Sequence, residues 1–242
     1  MIAPARPSPL RLLLTPLVVA IGIGVAYLVF FTLNGSPTDP FILNRDFIEN
    51  RFFGHLLLMA VSFGIAAGIG VPLGIALALG GVALRIPVLF AANLGQAIPS
   101  IGVLAFFAAA IGLGVAPTVL ALVLYALLPI LRNTMVGLQS VDPAALESAR
   151  GLGMTRAQSL LRVELPLASP VIFAGLRTSL ILIVGTATLG NFVGGGGLGD
   201  VIGAGINESD RIVFVGAVMV AVLALLADWL LGLAERAIVP RT

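Results

Sequence analysis

The chain has 242 residues, of which 59% are hydrophobic and only 10% are charged, and its formal net charge is +2. Soluble domains carry about 25% charged residues, so this composition excludes an ordinary soluble enzyme and is typical of a membrane protein with several spans. At roughly 20 residues per crossing, the length allows six or seven helices and leaves little for a globular domain.

Missing residue types exclude several functions. All thirteen basic residues are Arg, so the chain has no lysine for a phosphate-binding P-loop or a Schiff base. With no Cys and a single His, neither a structural zinc site nor a disulfide framework is expected, and we expect no cofactor on this chain. The arginines are scattered between apolar runs, which indicates membrane topology rather than nucleic-acid binding.

The N-terminal part predicts one span between two polar stretches. Residues 1–11 contain three prolines and two arginines and form a tail, and residues 12–33 are an uncharged run long enough to cross. A cleaved signal peptide is the alternative, although the run is longer than the usual core of such a peptide. Residues 34–52 form a polar loop, and His55 behind it is expected at the membrane interface.

The middle of the chain predicts three more spans, over residues 53–84, 88–113 and 118–135. The first of them contains two small-x-x-x-small patterns, which let helices approach closely. These patterns are Gly64-x-x-x-Gly68 and Gly70-x-x-x-Gly74.

Polar side chains and a proline interrupt the span over residues 88–113. Such residues indicate either a kinked packing helix or a helix that lines a water-filled route, and the sequence leaves both open. The pathway candidates are Asn93, Gln96, Pro99 and Ser100, together with Asn191 at the end of the fifth span.

Residues 142–166, called the polar segment below, hold six charged residues between apolar runs. Asp142-Pro143 predicts the start of a helix, because Asp caps free backbone amides and proline is favoured in the first turn. Gly151 and Gly153 predict a turn. A second short helix is expected to begin at Thr155 and to end before the proline that closes the segment.

The last part predicts two spans, over residues 167–193 and 212–233, with a tail over residues 236–242. Between the spans lies a glycine run, residues 194–200, which fits G-x-G-x-x-G. A nucleotide-binding motif of this kind needs a βαβ unit around it, so a sharp re-entrant turn is expected instead.

Each of the last two spans carries one charge, Arg177 and Asp228. At ~1.5 Å per residue, their depths in the membrane agree within roughly 5 Å. Since isolated charges in a membrane are costly, the hypothesis is an intramembrane ion pair. A packing pair without a role in transport is the structural alternative.

The distribution of arginine predicts the orientation. With the N-terminus inside, nine arginines lie on or near the cytoplasmic side and three lie outside, which satisfies the positive-inside rule. Both termini and the polar segment are therefore expected in the cytoplasm, and residues 34–52 on the other side. No Ser/His/acid set and no paired carboxylates converge, so no enzymatic activity is expected.

The polar segment resembles the EAA loop of bacterial ABC importer permeases. Glu147-Ser-Ala149 is followed after three residues by Gly153 and after nine more by Val163-Glu-Leu165-Pro166, which is the spacing of that family. Ser148 and Val163 depart from its usual Ala and Ile. The resemblance implies an all-α, polytopic permease domain over residues 53–235 in the bacterial inner membrane.

The resemblance also implies a role for the polar segment. In the family this loop forms coupling helices that sit in a groove of a cytoplasmic ATPase subunit, and that subunit binds ATP and Mg. The residues carried over for ATPase coupling are Glu147, Ala149, Gly153, Leu165 and Pro166, with Leu152 and Met154 as apolar contacts.

Residues 53–206 resemble more narrowly the permeases of osmoprotectant importers, on stretches 127–134, 141–154 and 185–189. This likeness implies transport of glycine betaine, choline, carnitine or proline betaine. It also implies an extracytoplasmic binding protein that delivers the substrate and a second permease, identical or paralogous.

Three alternatives remain open. The glycine run is shared with methionine-importer permeases, so methionine or another amino acid is the alternative substrate. An ion-driven secondary transporter would use a buried acidic residue at mid-membrane, and the only candidate, Asp228, lies off-centre. A structural scaffold would not need the polar segment.

Overall fold

The computed structural model describes residues 9–32 and 45–238, and all regular structure in these ranges is helical. Most of the predicted tails, 1–11 and 236–242, and most of the predicted loop, 34–52, lie outside the described residues. In chain order the helices are α1 (Pro9–Thr32), α2 (Arg45–Leu79), α3 (Val82–Ala97), α4 (Ser100–Ile111), α5 (Val115–Gln139), α6 (Pro143–Gly151), α7 (Arg156–Ser159), α8 (Leu165–Ala187), α9 (Leu198–Glu208) and α10 (Asp210–Ile238), with a π-helical turn at Leu160–Glu164 and a 3-10 turn at Thr188–Val193.

Four helical stretches are long and apolar enough to cross a membrane, and a fifth crossing results if the bent pair α3 and α4 counts as one span. The four are Asp46–Leu79, Val115–Gln139, Arg156–Val193 and Asp210–Ala237. The described apolar stretch of α1, Leu14–Val25, is shorter, and the predicted total of six includes it. The prediction of an all-α protein with about six membrane helices is confirmed.

Two predicted boundaries are wrong. α2 begins at Arg45 rather than near residue 53, because Asp46 lies in its first turn, where a carboxylate favours the positive end of the helix dipole. Residues 85–87, which the predicted spans left as a gap between them, belong to α3. The turn comes earlier, at Gly80 and Gly81, which separate α2 from α3.

The core lies around α5, which packs against α2 and α8 and also against the bent pair. Ala66 of α2, Leu122 and Ile130 of α5, and Ile183 of α8 are buried together at its centre. On the outside, α1 packs against α10, where a Cβ added to Gly22 would lie 3.0 Å from Val222.

The two glycine patterns of α2 have different environments. Cβ atoms added at Gly70 and Gly74 would lie 2.7 and 2.6 Å from side chains of α5, so this pattern permits close helix packing, as predicted, and the partner is α5. Cβ atoms added at Gly64 and Gly68 would meet nothing within 4 Å among the described residues. That pattern therefore packs against no helix of the described chain.

Candidate functional site

The polar segment begins with a capped helix, as predicted. The Ala144 N–H donates a hydrogen bond to Asp142 Oδ1 at 2.9 Å, and Pro143 lies in the first turn of α6. The cap satisfies one of the amides that a helix leaves free at its start.

α6 ends in a Schellman motif. The Met154 N–H donates to the Ala149 carbonyl at 3.1 Å and the Gly153 N–H donates to the Arg150 carbonyl at 2.9 Å. Gly153 has a φ of +73°, which side-chain-bearing residues rarely adopt. Gly153 is thus the residue that makes the predicted turn, whereas Gly151 is the last residue of the helix.

The second half of the polar segment begins at Thr155, as predicted, in a capping box with Gln158. It does not end before Pro166: the helix continues through the π-helical turn into α8. The Leu165 N–H donates to the Leu160 carbonyl, five residues back. This wider turn accommodates a proline, whose ring would clash with the carbonyl four residues before it in a regular helix.

Glu164, which the sequence analysis missed, holds this half together. It is only 4% exposed, its Oε1 accepts a hydrogen bond from Ser159 Oγ at 2.9 Å, and it forms an ion pair with Arg156. A buried carboxylate needs such partners, because losing water is costly for a charge. The available signal was an acidic residue between two apolar ones directly ahead of a span.

One face of the polar segment packs on the membrane helices. Ala149 is buried, and Leu146, Leu160 and Leu165 pack against the ends of α5 and α8. The apolar residues they meet there are Leu138, Val141, Ala168 and Ile172.

The opposite face is open. Leu152, at the turn, is 77% exposed and Leu161 is 65% exposed. Glu147 and Gly153 are exposed beside them, while Met154 is intermediate, as is Pro166 at the start of α8. An exposed leucine on a turn held by capped helices is a geometry suited to docking against another protein.

The third span, for which a kink was one of two interpretations, contains a break of 99° between α3 and α4, at Ile98 and Pro99. Gln96 Nε2 donates to the Tyr125 carbonyl at 2.7 Å, and the Tyr125 hydroxyl donates to the Ile98 carbonyl. The sequence analysis missed the role of Tyr125, although Pro129 was a signal for it. Proline has no N–H, so the carbonyl four residues earlier, that of Tyr125, needs another donor.

The other pathway candidates lie on three different elements, namely α3, α4 and the 3-10 turn. Asn93 is exposed on α3, where its side-chain amide donates to the Leu89 carbonyl at 2.6 Å, and Ser100 begins α4. Asn191 lies in the 3-10 turn and packs against α9, since a Cβ added to Gly203 would lie 2.3 Å from Asn191 Nδ2.

The glycine run makes a sharp turn pressed against the rest of the chain. Gly194, Gly196 and Gly197 have φ values from +74° to +77°. A Cβ added to Gly195 would lie 2.2 Å from Thr118 Oγ1, so the close approach also requires glycine. Helix α9 follows from Leu198, and α10 begins at Asp210.

His55, predicted to lie at the membrane interface, is buried inside the protein. Its Nε2 donates to the Val184 carbonyl at 3.1 Å, and its Nδ1 accepts from the Leu198 N–H at 3.2 Å, which corresponds to the neutral tautomer. The residue therefore joins α2 to α8 and caps the start of α9. Neither contact was predicted, because both partners lie more than 100 positions away in the sequence.

An ion pair lies one turn from His55. Arg51 Nε is 3.0 Å from Asp200 Oδ2, and the guanidinium also stacks over the ring of Phe47. Burial raises the pKa of the Asp200 carboxyl above its ordinary value, and the Arg51 charge opposes part of that rise. No group of three or more His, Asp and Glu among the described residues could hold a metal ion.

Arg177 and Asp228 lie close enough to form the hypothesised ion pair, with Arg177 Nε 2.8 Å from Asp228 Oδ1. Arg177 also donates a hydrogen bond to Glu235 Oε2 at 3.2 Å. Glu235 was missed, although it lies seven residues after Asp228 and hence on the same face of a helix. The cluster joins α8 to α10.

Long apolar helices around an open, capped polar segment define an integral membrane protein of the transport-permease class. The chain belongs to the family described as binding-protein-dependent transport system inner membrane component, whose family model matches residues 70–240.

Named relatives agree with this family. The carnitine transport permease protein OpuCD of Listeria monocytogenes is 43% identical over 84% of this chain and 91% of its own length. The glycine betaine/carnitine/choline transport system permease protein OpuCD of Bacillus subtilis is 41% identical over 81% and 86%. A chain of the MetNI methionine ABC transporter, solved in inward-facing conformations, has the same fold, with a TM-score of 0.69 at 24% identity over 80% of this chain and 96% of that one.

Proposed function

We propose that this chain is the permease subunit of an ABC importer that takes up osmoprotectants such as glycine betaine, choline or carnitine. The observation that carries the proposal is the 41–43% identity, over most of the chain, to permeases for these compounds. The likeness to a methionine transporter is limited to the fold and does not support an assignment of the substrate. An ion-driven transporter or a scaffold would have no use for the open polar segment.

The polar segment is the part that receives motion from a cytoplasmic ATPase subunit. Leu152 enters an apolar groove of that subunit, with Glu147 and Met154 beside it. Gly153 permits the tight turn because it readily adopts a positive φ, and Ala149, Leu165 and Pro166 join the segment to the membrane helices. ATP and Mg are bound by the ATPase, not by this chain.

Substrate arrives on an extracytoplasmic binding protein and passes between two permeases, identical or paralogous. The route lies along the bent pair, α5 and α8, with Asn93, Gln96, Pro99, Ser100 and Asn191 as the candidates near it. The protein is a multi-pass component of the bacterial inner membrane with both termini in the cytoplasm.

The test is transport in proteoliposomes that contain the chain, its ATPase and its binding protein. We expect ATP-dependent uptake of labelled glycine betaine, choline or carnitine. Leu152→Asp should abolish both uptake and co-purification with the ATPase, because it places a charge in an apolar groove.

The matched control is Leu113→Asp, since Leu113 is also 77% exposed but precedes α5 at the opposite end from the polar segment. The ATPase should still co-purify with it. Uptake without ATP would overturn the ABC mechanism. Uptake of methionine but of none of the three osmoprotectants would overturn the substrate class.

A further inference from the structure

We propose that Arg85 and Tyr125 are positioning residues that fasten α3 to α5 at both ends, so that the bent pair follows the polar segment when it moves. The inference rests on the proposed coupling function. It assigns the transmission of motion to side chains that lie outside the polar segment.

Arg85 joins three helices at the end of α5 next to the polar segment. Its Nε donates to the Leu77 carbonyl at 2.6 Å and its terminal nitrogen to the Ala78 carbonyl at 2.8 Å. These carbonyls lie in the last turn of α2, where no following helical N–H is available. With its amide oxygen turned to the guanidinium, Gln139 accepts from both terminal nitrogens at 2.9 and 3.2 Å. The opposite amide orientation would place donors against donors.

Tyr125 fastens the other end of α3. Pro129 leaves the Tyr125 carbonyl without its helical donor, and Gln96 supplies a replacement at 2.7 Å. The Ile98 carbonyl, at the break before Pro99, accepts the hydrogen bond of the Tyr125 hydroxyl. The two bonds run in opposite directions between the same two helices, so each holds the other in place. Both satisfy carbonyl groups that proline or a helix end has left free.

The two attachments hold α3 rigidly alongside α5. α3 has 16 residues, or about 24 Å at 1.5 Å per residue, with Arg85 near one end and Gln96 near the other. α5 ends at Gln139, three residues before the polar segment begins at Asp142. A displacement of the polar segment is therefore carried through α5 to both ends of α3, and so to the break at Pro99.

The first test removes the attachments singly. Arg85→Gln and Tyr125→Phe should keep co-purification with the ATPase and ATP hydrolysis, while uptake per ATP falls roughly tenfold, the factor expected for losing one strong hydrogen bond. Arg85→Lys should recover part of the uptake, because an ammonium can still donate to one carbonyl. Arg132→Gln is the matched control: Arg132 is exposed on α5, and within the described chain no hydrogen bond or ion pair reaches it.

The second test replaces the Arg85 attachment by a covalent one. The chain contains no cysteine, so Arg85→Cys with Gln139→Cys places the only two thiols. Cross-linking them with a short bis-methanethiosulfonate reagent should raise uptake above that of the uncross-linked double variant. Uptake that is lost on cross-linking and returns on reduction would show that α3 must separate from α5, which overturns the inference.

The two proposals fail in different ways. ATP-dependent uptake that is unchanged in Arg85→Gln and Tyr125→Phe would overturn the proposed role of the α3–α5 attachments but not the importer function. ATP-independent uptake by the unaltered chain would overturn the importer function itself. If Arg85→Gln does not fold, Tyr125→Phe still decides, because it leaves the Arg85 attachment and the Gln96 hydrogen bond in place.

Discussion

Glu164 shows how a single residue sets the shape of the polar segment. Its carboxylate is buried where the helix widens into a π-helical turn, and it holds Ser159 and Arg156 on the preceding turn. Without these contacts, the wide turn ahead of Pro166 would have only its backbone bonds to keep it in place. The carboxylate therefore fixes the joint between the polar segment and α8.

We expect Glu164→Gln to lower the free energy of unfolding by about 1–3 kcal/mol, because an amide loses the ion pair and leaves a buried polar group poorly matched. Thermal unfolding of the purified protein in detergent would measure it. Glu147→Gln is the matched control on the same segment, because Glu147 is exposed and makes no hydrogen bond or ion pair within the described residues. An equal loss in both variants would contradict the role given to Glu164.

Pairs of helices are held together here by small residues and by hydrogen bonds to freed carbonyls. α2 approaches α5 along Gly70 and Gly74, and α8 approaches α5 at Gly175, where an added Cβ would lie 2.5 Å from Asn133. Ser179 Oγ donates across the same contact to the Ala126 carbonyl at 2.7 Å. Apolar helices gain little from burying more apolar surface inside a membrane, so such close contacts carry the association.

Gly74→Ala should destabilise the protein by about 1–3 kcal/mol, because its Cβ would overlap the Thr134 side chain and the Leu131 carbonyl. Gly68→Ala on the same helix meets open space and should be neutral, or stabilising by about 0.5–1 kcal/mol through helix propensity. Chemical or thermal unfolding of both variants would compare them. Equal destabilisation would mean that the Gly68 face is also covered by a helix.

Over the whole molecule, the Arg177 cluster connects the polar segment to the end of the chain. α8 continues directly from the polar segment, and Arg177 links it to Asp228 and Glu235 on α10. Arg177 is one cation that faces two carboxylates. Reversing the charge of Arg177 therefore changes the charge balance differently from reversing the charge of one carboxylate. The arrangement predicts unequal effects of reversing either charge.

Arg177→Glu should lower stability by on the order of 1–2 kcal/mol, since it places three carboxylates together in a partly exposed site. Asp228→Arg should cost less, because Glu235 remains to balance one of the two guanidinium groups. The double exchange should recover most of the loss, as measured by thermal unfolding and by the yield of folded protein. A double variant no more stable than Arg177→Glu alone would refute the pairing.

The sequence alone determined the properties that depend on neighbouring residues. Apolar length fixes which stretches become membrane helices, Asp142 and Thr155 mark where the two short helices begin, and the spacing from Glu147 to Pro166 indicates the family. Pro99 and the polar side chains near it indicate an interruption of the third span, because proline removes a backbone donor. Each of these signals acts within a few turns of helix and can be read without knowing what lies beside it.

The tertiary structure decided which residues meet. His55 pairs with Val184, 129 positions away, and Arg177 meets Glu235, 58 positions away. Only packing shows that Gly74 faces a helix while Gly68 does not, and that Tyr125 holds the break at Pro99. The physical reason is that hydropathy drives a helix into the membrane whichever way its sides face. Its rotation and its partners are set by close contacts and hydrogen bonds, which a local pattern does not contain.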